Sequence, residues 1–397
     1  MMLRFLTAGE SHGPSLSVIV EGLPAGLAID EETMSAELAR RRLGYGRGPR
    51  MRFERDVVRL IGGVRHGRTL GSPVSVEILN SEWPKWEQEM SAAPGTPTKK
   101  LTTPRPGHAD LAGMQKYGFD DARDVLERAS ARETAARVAA GHLAKTLLAT
   151  IDIAILSHIV RIGAAASPEG GRPTLSDLTR IDESEVRCFD ADAEAAMIAE
   201  IKAAAKDGDS LGGIAEVIAY GVPVGLGSYV HWDRKLDGLL AGALMSIHAV
   251  KAVEIGDGMI QASQRGSVAH DAIARDPSFE RGGGYIRRTD HAGGLEGGVS
   301  SGAPIIAKVA MKPLATLNRP VLETVDIATG EPTVSFKERT DVTAVPAMGV
   351  VSESMMALVL ANEALRKFGG DSVEEFVRNH HSYVAALGTV VSGARPA

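Results

Sequence analysis

Residues 3–24 read LRFLTAGESHGPSLSVIVEGLP, and the five residues at 9–13, GESHG, can be taken two ways. They match G-x-S-x-G, the sharp turn that presents a nucleophilic serine between a strand and a helix. They also make a glycine turn presenting His12 between two strands. The residues after the turn decide between them. Leu16, Val18 and Val20 alternate with Ser15, Ser17 and Ile19, which is strand period with β-branched enrichment. Strand, glycine turn, strand excludes the hydrolase elbow. Residues 1–30 then form a hairpin, Ser11 shapes its turn, and any chemistry passes to His12.

Moving outward, DEETMSAELARRRLG (30–44) predicts a helix with Asp30 as its cap, Met34 and Leu38 on one face, and Gly44 ending it. Residues 56–79 return to strands broken by glycines. From Asn80 to about Pro106 periodicity fades among Pro, Gly and Thr, and a loop of that length, 81–107, is read as functional or mobile. SARETAARVAAGHLAKTLLA (130–149) is the clearest helix, with Ser130 and Glu133 spaced as a capping box and small residues suited to close packing. Residues 160–207 are polar and uneven and read as peripheral. LGGIAEVIAYGVPVGLG (211–227) predicts a strand pair, and DRKLDGLLAGALMSIHAVKAV (233–253) a helix. GGVSSGAPIIAKVAMKP (297–313) predicts a turn feeding a strand, ETVDIATGEPTVSF (323–336) a hairpin, and SESMMALVLANEALRKFGG (352–370) a helix closed by glycine. Strands and helices do not alternate regularly, so the class is α+β, as one large domain over 1–397.

Composition bounds the function. The net charge of −6 does not favour nucleic acid or an acidic membrane as partner. A single cysteine, Cys188, excludes an internal disulfide framework and suits a reducing compartment. No basic-then-apolar leader and no unbroken apolar run of about 18 residues is present, which predicts a soluble cytoplasmic protein.

Charge and histidine gather in a few glycine-rich places. ARRRLGYGRGPRMRFER (39–55) concentrates Arg40, Arg41, Arg42, Arg47, Arg50, Arg52 and Arg55 in an otherwise acidic chain. Cations are favoured in a helix's last turn, which accounts for the first three but not for Arg47 and Arg50. A guanidinium fork suits phosphate and carboxylate. GYGRG follows a helix rather than a strand, against a dinucleotide fingerprint. In TTPRPGHADLAGMQKYG (102–118), His108 stands at a helix start, where anions are favoured. ERASARET (127–134) sets Arg128, Ser130 and Arg132 around another such start. RTDHAGGLEGGVSSG (288–302) has glycines for close approach to a flat ligand, or for tight turns alone. For His12 and His108 the alternative is a turn or loop histidine bonded to backbone. Together these residues predict an enzyme for a small, multiply anionic substrate, with His12 and His108 as acid–base candidates. A non-catalytic nucleotide-binding module would use the arginines and glycines but leave both histidines idle.

In this order, GESHG, ARRRLGYGRG, TTPRPGHAD, ERASARET, AVKAVEIGDG (249–258), HAGGLEGGVSSG (291–302), MKPLATL (311–317) and RTDVTAVPA (339–347) resemble the chorismate synthase family along nearly the whole chain. The resemblance implies helices sandwiched between antiparallel sheets, a homotetramer, and anti-1,4-elimination of phosphate from 5-enolpyruvylshikimate 3-phosphate. It implies reduced FMN without net redox change, and NADPH for flavin reduction either here or at an external reductase, the latter favoured because no reductase domain is visible. It further implies His12 near the leaving phosphate, His108 near the flavin, and Asp341 assisting proton removal. Arg41 and Arg47 would serve substrate and NADPH, with Arg132 beside the substrate. Flavin contacts would fall at Arg128, Ala129, Ser130, His248, Ala249, Gly297, Lys312, Pro313, Leu314, Ala315, Thr316 and Arg339. His248, Ala252, Asp290 and Thr343 depart from the family's usual residues.

Overall fold

In the computed structural model, which describes residues 3–47, 56–168, 170–335 and 340–391, GESHG joins two antiparallel strands. β1 (Arg4–Ala8) pairs with β2 (Ser15–Glu21), Leu6 opposite Ile19 and Thr7 opposite Val18. Leu16, Val18 and Val20 are buried and Ile19 is exposed, the alternation that the sequence carries. Gly9 sits at φ +100°, and a Cβ there would meet the Ser15 carbonyl at 2.4 Å, so the turn requires glycine.

β3 (Val57–Gly62) and β4 (Val74–Leu79) extend the hairpin into a four-stranded sheet of order β1-β2-β4-β3. A second sheet contains β5 (Ala154–Ile162), β6 (Gly213–Tyr220), β7 (Val250–Ile255) and β8 (Ile305–Met311) in the order β7-β8-β6-β5, with the short strand Ala165–Ala166 beyond β5. Neighbouring strands in both sheets are antiparallel.

The principal helices are α1 (Glu31–Arg42), α2 (Asp110–Tyr117), α3 (Arg123–Ala129), α4 (Thr134–Ala149), α5 (Ala191–Asp207), α6 (Leu236–Met245), α7 (Val345–Phe368) and α8 (Val373–Val391). α4 packs on β2 and α7 on β5 and β6, with α4 and α7 against each other between the sheets. The fold is therefore an α+β sandwich with a helical filling. α7 is long and apolar enough to cross a membrane by length and composition, but it is buried inside the protein. A helix that is apolar all round belongs in such a core. Small residues allow the close crossing: a Cβ on Gly141 of α4 would meet the Cβ of Ser354 of α7 at 2.2 Å.

Asp30 caps α1 as its sequence predicts, accepting from the Thr33 amide at 2.7 Å, and Met34 and Leu38 are buried. Glu323–Val325 and Pro332–Val334 pair as the expected hairpin. Other elements differ from expectation. The 211–227 stretch gives one strand rather than two, because the chain turns away at Gly221, where φ is +77°. The helix expected over 233–253 stops at Met245, and the remainder becomes β7, whose valines pair with β8. The stretch read as peripheral supplies α5, capped by Asp190, with Met197 and Ile201 buried. At the start of α4 the capping box gives way to a 3-10 turn, and Glu133 instead accepts from Thr7 Oγ1 (2.7 Å) and Arg137 Nε (2.8 Å). A buried carboxylate needs such charged and hydroxyl partners more than it needs one backbone amide.

Candidate active site

The GESHG turn is held from three directions. Asn80, after β4, donates its side-chain amide to the carbonyls of Glu10 (3.2 Å) and Gly13 (2.7 Å). Arg128, in the last turn of α3, donates to the carbonyls of Gly9 (3.1 Å) and Thr7 (3.0 Å). Its neighbour Glu127 accepts the His12 amide at 2.9 Å and faces His12 Nδ1 at 2.9 Å. Burial would raise the Glu127 carboxyl, but its hydrogen bonds to His12 and the charge of Arg123 hold it below the usual range. The ring of Trp86, from the long loop, lies with its centroid 4.2 Å from that of His12. Ser11 is buried and donates its amide to the Glu127 carbonyl at 3.0 Å, a turn-forming role.

His108 stands two residues before α2, with Nδ1 2.5 Å from Asp110 Oδ1. Arg105 donates to Asp110 (2.9 Å) and to Thr316 Oγ1 (3.0 Å). Asp110 is buried, which would raise its carboxyl, yet the hydrogen bonds from His108 and Arg105 hold it well below the usual range. The Lys312 ammonium donates to the Gly107 carbonyl, and the Lys312 amide to the Ala249 carbonyl at 3.0 Å. The 107–110, 248–249 and 312–316 segments thus share one wall.

His248 belongs to that wall. Burial lowers its proton affinity, and its buried Nδ1 has no hydrogen-bond partner among the described residues. With Thr7, Arg128, Glu133 and Met355 it lines a cavity of about 370 Å³. An orphaned buried nitrogen facing a cavity is what a polar ring ligand would satisfy. Ala249, Gly107 and Ala315 put only small side chains on the same wall. The residues present therefore fit a flat flavin.

The arginines divide. Arg132 donates to Asn80 Oδ1 (3.0 Å) and pairs with Asp56, while Arg41 and Arg42 each come within 3.6 Å of the same buried carboxylate. Three guanidinium groups thus gather around Asp56, and Arg132 reaches the GESHG turn through Asn80. Arg47 pairs with Asp341 at 3.0 Å, and its buried Nε has no hydrogen-bond partner among the described residues. The Asp341 segment is tied to the same wall: Val342 bonds to Gly46 and Leu211, and Ser210 Oγ donates to the Leu314 carbonyl at 2.8 Å.

His12, His108, Arg128, Ala129, Ser130, His248, Ala249 and residues 312–316 are brought together through these contacts, with Arg41, Arg47, Arg132 and Asp341 linked at the margin. Gly297 is not among them. It sits beside Tyr229 near the start of α6, whereas His248 follows that helix's other end, about 15 Å away at 1.5 Å per residue. Arg50, Arg52, Arg55 and Arg339 lie outside the described residues. Sequence reading missed Glu127, Asp110, Asn80, Asp56 and Trp86. Asp110 lay two residues from His108 inside a quoted motif, a usable signal; Glu127, 115 residues from His12, and Trp86 had none.

The model of the chorismate synthase family matches residues 3–365. The chain is 60% identical over 395 residues to the chorismate synthase of Frankia alni, covering 97% of this chain and 99% of the relative. It is 58% identical over 394 residues to that of Streptomyces coelicolor (97% and 98%) and 55% identical over 397 residues to that of Thermobifida fusca (97% and 99%). A solved crystal structure of chorismate synthase superposes with a TM-score of 0.79 at 38% identity, covering 98% of this chain and 99% of that one.

Proposed function

The chain belongs to the chorismate synthase family, and on that premise we propose that it eliminates phosphate from 5-enolpyruvylshikimate 3-phosphate to give chorismate. The observation that carries this reading is the pairing of two histidines with two buried, ionised carboxylates, with a cluster of arginines linked to the first of them through Asn80. Arg41, Arg47 and Arg132 hold the anionic substrate, Arg132 also bracing the His12 turn through Asn80. His12 donates a proton to the departing phosphate. Preorganised positive charge and a proton donor aimed at the developing anion are what that departure needs. Asp341, kept beside Arg47, assists removal of the ring proton from the substrate. His108, fixed by Asp110, orients groups on the flavin side. When bound, reduced FMN supplies electron density transiently to the breaking bond and recovers it. His248, Ala249 and Lys312 to Thr316 would hold it; the Arg128 fork is engaged with Thr7 and Gly9 and so shapes the surroundings. Flavin reduction falls to an external reductase, with NADPH as the ultimate donor. The working form is a homotetramer in the cytoplasm.

An anaerobic assay tests the reading. One equivalent of reduced FMN per enzyme should support many turnovers, and none should occur with oxidised FMN. Product formed only in proportion to flavin oxidised would refute the elimination.

A further inference from the structure

Glu127 and Trp86 surround the ring of His12, and the sequence motifs single out neither. Both oxygens of the Glu127 carboxylate lie close to Nδ1, at 2.9 and 3.1 Å, and one also accepts the His12 amide. One buried group thereby fixes the backbone and the ring together. Trp86 covers the ring at 4.2 Å with a 35° tilt. Arg123 lies 5.0 Å from the Trp86 ring centre and donates to Glu127 at 3.1 Å. Arg123 is also 3.7 Å from Glu89, which accepts the Thr98 amide at 3.0 Å. The loop that carries Trp86 is thus sewn to the helix that carries Glu127.

We propose that Glu127 and Trp86 are positioning residues for His12, setting which nitrogen exchanges protons and holding the ring that does so. This rests on the reading of His12 as proton donor. An ionised carboxylate can only accept, so Nδ1 keeps its hydrogen in both charge states of the ring. Proton exchange with a ligand then runs through Nε2. In the step itself the Nε2–H bond breaks and an O–H bond forms on the departing phosphate. His12 is left neutral, with Nδ1–H still donated to Glu127, and Glu127 changes no proton. Rotating the ring would break the Glu127 bond and push into Trp86. The indole face also favours the cationic ring. Charged groups around this turn among the described residues include Arg123, Arg128 on Gly9, Arg132 through Asn80, Glu10 within the turn, and Glu89 beyond Arg123.

The test is the split of kcat from KM. Glu127→Gln should lower kcat by about 10²-fold or more with KM changed only a few-fold, and Glu127→Asp should restore part of the rate. Trp86→Leu should lower kcat without removing the Glu127 dependence. Added to His12→Ala, Glu127→Gln should cost little further rate, because the ring it positions is gone. Parental kcat in folded Glu127→Gln, or an equally large further loss when it is added to His12→Ala, overturns the positioning proposal and leaves the elimination reading intact. Parental kcat in His12→Ala overturns the reading of His12 as the donor.

Discussion

Two buried charge clusters begin at adjacent residues of one helix and face different parts of the molecule. Arg40 turns inward to a matched set: Arg40, Lys145 and Arg187 face Glu37, Asp182 and Glu353. Glu353, in the middle of α7, is fully buried and accepts from Arg40 (2.7 Å), Lys145 (2.6 Å), Arg187 (3.0 Å) and Ser157 (2.7 Å). Burial would raise its carboxyl, and the three cations outweigh that and hold it well below the usual range. Arg41 and Arg42 turn instead to Asp56, where Arg132 joins them. A matched cluster is complete in the folded chain and holds helices to a sheet. The second gathers three guanidinium groups on one carboxylate and ties them, through Asn80, to the turn that carries His12.

The largest expected effect breaks the matched cluster. Glu353→Ala leaves Arg187, itself fully buried, without its central partner, and breaking a buried pair in this way costs about 3–5 kcal/mol. Urea unfolding should register that loss, whereas a change under 1 kcal/mol would show the cluster to be incidental. Next, Arg132→Met should cost less stability, because Arg41 and Arg42 still neutralise Asp56, but it should weaken binding of inorganic phosphate. A charge-assisted bond contributes about 1.5–3 kcal/mol, or roughly ten- to a hundredfold. The rise in melting temperature with phosphate should shrink accordingly. If Arg132→Met were as destabilising as Glu353→Ala and left phosphate binding unchanged, the contrast between the clusters would fail. The smallest effect concerns acid. The folded Glu353 carboxyl sits below its unfolded value, so its contribution is present above that unfolded value, near 4.5, and drains away as pH falls below it. Glu353→Gln should therefore lose less stability than the parent between about pH 5 and 3. Parallel acid curves would assign acid lability to other carboxylates, such as Asp110.

The two clusters also show what could be read in advance. Arg40, Arg41 and Arg42 look equivalent in the sequence, and the favourable position of cations at a helix C-terminus accounts for all three alike. Successive residues on a helix point about 100° apart, and only the neighbours across each face separate a structural arginine from one at the site. His12 and His108 were legible because glycine turns with charged neighbours are unusual local patterns. Their partners divide by distance along the chain: Asp110 stands two residues from His108, whereas Glu127 reaches His12 across 115 residues. Trp86 sits in a stretch without periodicity, where no local rule places a side chain.

By itself the sequence determined the antiparallel hairpin at the N-terminus, the capped helix α1, the apolar α7, the histidine turns and the family resemblance. Each of those rests on short-range physics, whether the period of burial, the φ that glycine permits, or the cap that Asp30 supplies. The tertiary structure decided where α6 ends and β7 begins, that Glu133 leaves its cap for Thr7 and Arg137, and which carboxylate each cation meets. Those choices depend on which groups folding brings into one low-dielectric interior, where an unpaired charge is too costly to leave and its partner can come from anywhere in the chain.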